Sequence, residues 1–153
     1  VLVPRFPNRT KEIVETLKGF NVKVHSKGEV PNAMTDIFVA DSIGELGLWY
    51  KASEVALIGG TFSSLEGKNP WEALYLDCAI AFGPRHAKFK DDFKLLEKFK
   101  LASQIDSSEE LFKVLSRKNV PPSILNFKKL KVKLASDLNI LVKDVLSLIH
   151  EKH

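Results

Sequence analysis

Apolar and polar positions along residues 1–115 switch repeatedly between a two-residue and a 3.6-residue period. Val1-Leu2-Val3 opens as a strand. After Asn8-Arg9-Thr10, Ile13, Val14 and Leu17 fall on one helical face, and Gly19 closes that helix. Residues 21–25 alternate as a strand, and residues 26–35 form a polar loop with Gly28 and Pro31. Strands follow at 37–40, 55–58, 78–82 and 102–105, with helices at 42–52, 70–76, 89–99 and 107–115, the last opened by Asp106 or Ser107. The strands at 55–58 and 78–82 are apolar throughout, which fits burial on both faces. Short apolar strands alternating with helices predict a Rossmann-like α/β fold, a parallel sheet with helices on both faces.

From Pro121 the pattern becomes helical only, lysine-rich, with Leu134, Leu138, Leu141, Val145, Leu148 and Ile149 at three- and four-residue steps. Two domain-level segments follow: residues 1–120 as the Rossmann-like domain and 121–153 as its helical tail. The tail either packs across its own domain or reaches a neighbouring one. The chain begins without Met and inside a strand pattern, which reads as the second half of a larger protein.

Composition changes this picture little. At 44% hydrophobic and 27% charged residues it is that of an ordinary globular domain. No apolar run approaches the ~18 residues of a membrane span. The lone Cys78 excludes an internal disulfide and a cysteine-based zinc site, and it fits a reducing compartment. The net charge of +4 fits either an anionic partner or a solvated lysine face.

Ligands of open parallel sheets bind beyond the carboxyl ends of the strands, so the loops there carry the candidate chemistry. After the first strand comes Pro4-Arg5, whose guanidinium fork matches phosphate oxygens. After the strand at 37–40 comes Asp41-Ser42-Ile43-Gly44-Glu45. Ser42 and Glu45 have capping-box spacing, and a Gly44 in the first helical turn suits close approach of a phosphate. After residues 55–58 come Gly59-Gly60 and then Lys68-Asn69-Pro70-Trp71-Glu72. Asn69 and Pro70 read as a helix start, and Glu72 as either a capping partner or a carboxylate for a ribose diol. Gly83-Pro84, followed by Arg85-His86, is a turn at the same edge, and the four histidines show no metal-ligand spacing. G-x-G-x-x-G, Walker A and G-x-S-x-G motifs are missing, as is a basic patch interleaved with aromatics.

LVPRFPNR, DSIGELGLWY, ALIGGTF, GKNPWEA, AFGP and KFKDD, in this order over residues 1–115, resemble the donor-binding C-terminal half of the 3-deoxy-D-manno-octulosonic acid (Kdo) transferases. The family pattern runs LVPRHPER, GDTMGELxxxY, FVGGS, GGHNPLEP, GPHxxNFxD. The resemblance implies the C-terminal half of a GT-B glycosyltransferase. It implies transfer of Kdo from CMP-Kdo to a lipid A precursor on the cytoplasmic side of the bacterial inner membrane, in lipopolysaccharide biosynthesis. Membrane anchor, acceptor site and catalytic carboxylate would lie in an N-terminal half, leaving no catalytic residue here. No metal or cofactor is implied, and no nucleic-acid partner.

Residue by residue, the resemblance assigns donor binding to Pro4, Arg5, Ser42, Gly44, Glu45, Gly59, Gly60, Lys68, Asn69, Glu72, Gly83 and Pro84. Phe6, Lys68 and Ala73 depart from the family's His, His and Pro. Two other readings stay open on the residues alone: a different GT-B enzyme using a UDP-sugar (a transferase or 2-epimerase), and a non-catalytic basic α/β binding module.

Overall fold

The computed structural model describes residues 1–116 and 124–150. The expected boundary at 120/121 and His153 lie outside the described residues. The chain divides into two compact units, Val1–Ala52 and Ser53–His153.

In the first unit, strand β1 (Val22–Val24) pairs in parallel with β2 (Ile37–Val39), Val22 opposite Ile37 and Val24 opposite Val39. The expected first strand is reduced to one bridge, Leu2 to Val39. Leu2 N–H donates to the Phe38 carbonyl at 2.8 Å and the Leu2 carbonyl accepts from Ala40 N–H at 2.9 Å. Val24, Phe38, Val39 and Ala40 are buried. Helix α1 spans Thr10–Thr16, and α2 spans Leu46–Lys51.

The second unit holds a parallel sheet in the order β3 (Val55–Leu57), β4 (Ala79–Phe82), β5 (Ala102–Gln104). β4 is central and buried along its whole length, which is why its sequence carries no polar alternation. Helix α3 (Trp71–Tyr75) links β3 to β4, and α4 (Lys90–Lys98) links β4 to β5. Phe93 and Leu96, three apart on α4, point into the core, where the Phe93 ring stacks on Phe82 with centroids 4.1 Å apart. Burial pushes the Cys78 thiol up to about 11, so Cys78 is a packing residue. α5 spans Ser108–Leu115, and Ser107 caps it by accepting from Glu110 N–H.

α3 and α4 end in the same way. Cys78 N–H returns to the Ala73 carbonyl and Leu101 N–H to the Leu96 carbonyl, each across a left-handed residue, Asp77 (φ 63°) or Lys100 (φ 55°). This terminus turns the chain directly into the next strand.

α6 spans Ile124–His150. Leu130 is fully buried, and the Phe127 ring meets Tyr75 of α3 edge-on at 5.7 Å. Beyond it, Leu138, Leu141 and Leu146 are exposed. No helix among the described residues is long and apolar enough to cross a membrane.

The sequence predicts one sheet; the hydrogen-bonded ladders are two, one per unit. Parallel pairing within each still sends the loops after Leu2 and β2 off one edge, and those after β3 and β4 off one edge.

Candidate functional site

In the first unit, Pro4 and Arg5 follow the Leu2 bridge. Arg5 is exposed, lies 5.5 Å from the Phe6 ring centroid, and has no ion pair among the described residues. Phe6 thus contacts the guanidinium through its ring face.

The loop after β2 corrects the sequence reading. The helix expected from residue 42 begins at Leu46, because Gly44 sits at φ +89°, a left-handed conformation no helix interior contains. A Cβ at Gly44 would meet nothing within 4 Å, so backbone conformation is what this glycine serves. The Ser42 hydroxyl donates to the Glu45 carboxylate, a side-chain pair in place of the expected capping box. His25 Nδ1 lies 3.3 Å from Glu45 Oε2 and 3.4 Å from Ser42 Oγ.

Just upstream, the buried Asp41 accepts from Ser26 N–H (2.8 Å), Ser26 Oγ (2.7 Å) and Thr10 Oγ1 (2.9 Å). Burial raises its pKa, but these donors outweigh burial and hold the carboxyl below its ordinary value. Asp41 therefore ties α1, the turn after β1 and the β2 loop together. Only its position at a strand end hinted at this.

In the second unit, the loops after β3 and β4 are joined by Thr61. Its hydroxyl donates to the Ile58 carbonyl (2.7 Å) and accepts from Gly83 N–H (2.8 Å). Its carbonyl accepts from Arg85 N–H at 2.8 Å. Gly83 is packed so closely that a Cβ would lie 2.5 Å from the Thr61 carbonyl oxygen. Gly60 adopts φ +81° and Gly67 φ +89°, folding the loop back so that Gly67 N–H reaches the Gly60 carbonyl. Gly59 has neither a positive φ nor a close neighbour, so of the two glycines Gly60 is the one whose conformation the loop requires.

Asn69 Oδ1 accepts from Trp71 N–H at 3.0 Å, so Asn69 starts the helix as expected although α3 itself is counted from Trp71. Glu72 does not complete a capping box. Its exposed carboxylate has no hydrogen bond or ion pair among the described residues. Lys68, half-buried, likewise has no ion pair there. Pro84, Arg85, His86 and Lys90, with Glu66, line an open cleft of about 480 Å3. His86 Nδ1 lies 3.0 Å from the Gly83 carbonyl, which fixes the ring over this turn. Arg85 and Lys90 bring positive charge that the motif reading did not include; the sequence signal was the basic spacing R-H-A-K-F-K. No group of three metal-ligating side chains occurs among the described residues.

No family model matches the chain. A 3-deoxy-D-manno-octulosonic acid transferase from Rickettsia felis is 33% identical over 130 residues, covering 84% of this chain and 28% of that protein. Its counterpart from Haemophilus influenzae is 31% identical over 112 residues, covering 72% of this chain and 26% of that protein. The chain spans 33% of the length of the Rickettsia conorii relative, which is 29% identical over 154 residues. Among solved structures, the C-terminal CMP-Kdo binding domain of WaaA from Acinetobacter baumannii matches with a TM-score of 0.69 at 27% identity, over 75% of this chain and 62% of that one. The fold class is the one expected from the sequence, a Rossmann-like α/β half of the GT-B type. By sequence and by fold the chain is similar to the 3-deoxy-D-manno-octulosonic acid transferases, as a counterpart of their C-terminal domain.

Proposed function

We propose that this chain is the donor-binding part of a glycosyltransferase that moves Kdo from CMP-Kdo to a lipid A precursor in lipopolysaccharide biosynthesis, at the cytoplasmic face of the inner membrane. Binding of the nucleotide belongs to this chain; acceptor binding, membrane attachment and the catalytic base belong to the N-terminal half of the whole enzyme. In the first unit the contacts proposed are Pro4, Arg5, Ser42, Gly44 and Glu45, with Arg5 on the donor phosphate. In the second they are Gly59, Gly60, Lys68, Asn69, Glu72, Gly83 and Pro84, with Glu72 on the ribose hydroxyls. Residues 1–120 form the nucleotide-binding domain and 121–153 its helical tail.

One observation carries the reading: the Glu72 carboxylate stands in the first turn of α3, exposed and without a hydrogen bond or ion pair among the described residues, although its spacing from Asn69 suits a cap. A charged group held in place by a helix yet unused by the fold is available to a ligand. Calorimetry with CMP and UMP tests this. Glu72→Ala removes a charged hydrogen-bond partner, for which a loss of about 1.5–3 kcal/mol in CMP binding is expected. Its melting temperature should not fall, because no cap bond is lost. Equal CMP affinity in Glu72→Ala and the unaltered chain would refute the assignment, and preference for UMP would point to a UDP-sugar enzyme instead.

A further inference from the structure

His25 carries no motif, yet its Nδ1 lies within 3.4 Å of both members of the Ser42–Glu45 pair. Parallel pairing of β1 with β2 brings their carboxyl ends side by side, so the residue after β1 meets the loop after β2. The ring is oriented by packing: it stacks on Phe38 with centroids 6.2 Å apart and meets Trp49 edge-on at 6.5 Å. With Phe38, Trp49, Leu48 and Glu45 it borders an open, mainly apolar cavity of about 310 Å3.

Ser42 has one hydroxyl hydrogen, and it is directed to Glu45. An ionised carboxylate only accepts. With the Ser42 hydrogen committed, the ring nitrogen facing both oxygens, Nδ1, is the one placed to donate to Glu45 Oε2. Both donors converge on Oε2 of Glu45, and Oε1 accepts nothing among the described residues.

We propose that His25 is a positioning residue for donor binding: its Nδ1–H, together with Ser42, pins one oxygen of Glu45 and leaves the other for an N–H or O–H of the nucleotide. This rests on the donor-binding reading of Glu45 above. The role belongs to the Nδ1 position, so a side chain that places an N–H there should replace it. Asparagine does this and glutamine does not.

Two measurements on the full chain test it. Nitrogen-resolved NMR at about pH 8, above the ordinary histidine range, should show His25 as the Nδ1–H tautomer, and Glu45→Ala should shift it towards Nε2–H, the form favoured by a solvated histidine side chain. Calorimetry with CMP should show His25→Ala and His25→Gln weakened about three- to tenfold, the loss of one hydrogen bond's orienting effect. His25→Asn should stay within about twofold of the unaltered chain, with melting temperatures recorded for every variant. An Nε2–H tautomer in the unaltered chain, or a His25→Asn variant as weak as His25→Ala, overturns the proposal. Absence of any CMP binding by the unaltered chain overturns the donor-binding reading and this residue's part in it; the NMR pattern separately decides whether His25 orients Glu45.

Discussion

Thr61→Val is the sharpest test of how the second unit holds its loops, because it changes one hydroxyl for a methyl at nearly constant volume. Thr61 is fully buried, so water cannot replace what is removed. Two polar groups lose their partner: the Ile58 carbonyl and Gly83 N–H, held at 2.7 and 2.8 Å. Each buried group left unsatisfied costs about 1–3 kcal/mol, which puts the variant about 2–6 kcal/mol below the unaltered chain. Against a total stability of about 5–15 kcal/mol this is a large share. Thr61→Ser keeps the hydroxyl and loses only the methyl that lies against Gly67, so it should cost about 1 kcal/mol. Urea unfolding gives the totals, and amide hydrogen exchange locates them: Gly83 and Arg85 should lose protection in Thr61→Val and keep it in Thr61→Ser. A Thr61→Val protein within about 0.5 kcal/mol of the unaltered chain, with the Gly83 amide still protected, would show that the hydroxyl does not join the two loops.

Asp41 gives the first unit an acid limit. Its folded pKa is depressed, so its stabilisation is complete above the ordinary value of 3.8 and disappears as pH falls through the lower folded value. Melting temperature should drop on acidification below that range, and Asp41→Asn should flatten the drop; an unchanged acid limb in Asp41→Asn would place its origin elsewhere. Asp41→Ala removes three hydrogen bonds to a carboxylate, from Ser26 N–H, Ser26 Oγ and Thr10 Oγ1, and should cost about 1.5–3 kcal/mol by urea unfolding, because water reaches the freed donors. Lys100→Gly should go the other way, because a left-handed non-glycine residue costs about 1–2 kcal/mol in the folded state, partly offset by the entropy glycine adds to the unfolded chain. A gain of about 0.5–1 kcal/mol is expected, and a loss would mean that the Lys100 side chain contributes more than its backbone conformation costs.

The elements easiest to read were those whose sequence is dictated by burial. β4 is apolar at every position because it is covered on both faces, and α4 shows Phe93 and Leu96 three apart for the same reason. Helix starts were harder to read. Ser42 and Glu45 have capping-box spacing, but the intervening Gly44 is left-handed, which delays α2 to Leu46 and turns the pair into a side-chain contact. The division at Ala52–Ser53 left no trace in hydrophobic period, because period reports which face of an element is buried and not how densely elements contact one another. His25 and Thr61 were invisible for a related reason. Their contacts span 20 and 22 residues of sequence, and only parallel strand pairing brings them together.

The residues of the motif blocks then separate by what the fold asks of them. Gly44 and Gly60 are required by positive φ, Gly83 by the Thr61 carbonyl 2.5 Å from its missing Cβ, and Asn69 by the Trp71 amide. These would be needed in any protein with this loop geometry, whatever it bound. Arg5, Lys68 and Glu72 are different: they are charged, Lys68 and Glu72 flank the helix start that Asn69 builds, Arg5 follows the Leu2 bridge, and none has an ion pair among the described residues. The glycines and asparagine explain why the loops within each unit keep their shape, and the charges without an ion pair among the described residues are the groups the proposed donor contacts would use. Substitution should therefore separate the two groups. Changes at Gly83 or Asn69 should lower stability and CMP affinity together, whereas changes at Arg5 or Glu72 should lower affinity with the melting temperature unmoved. If Arg5→Ala and Glu72→Ala instead destabilised the chain as much as Gly83→Ala, their charges would be part of the fold and the nucleotide would have to be sought elsewhere.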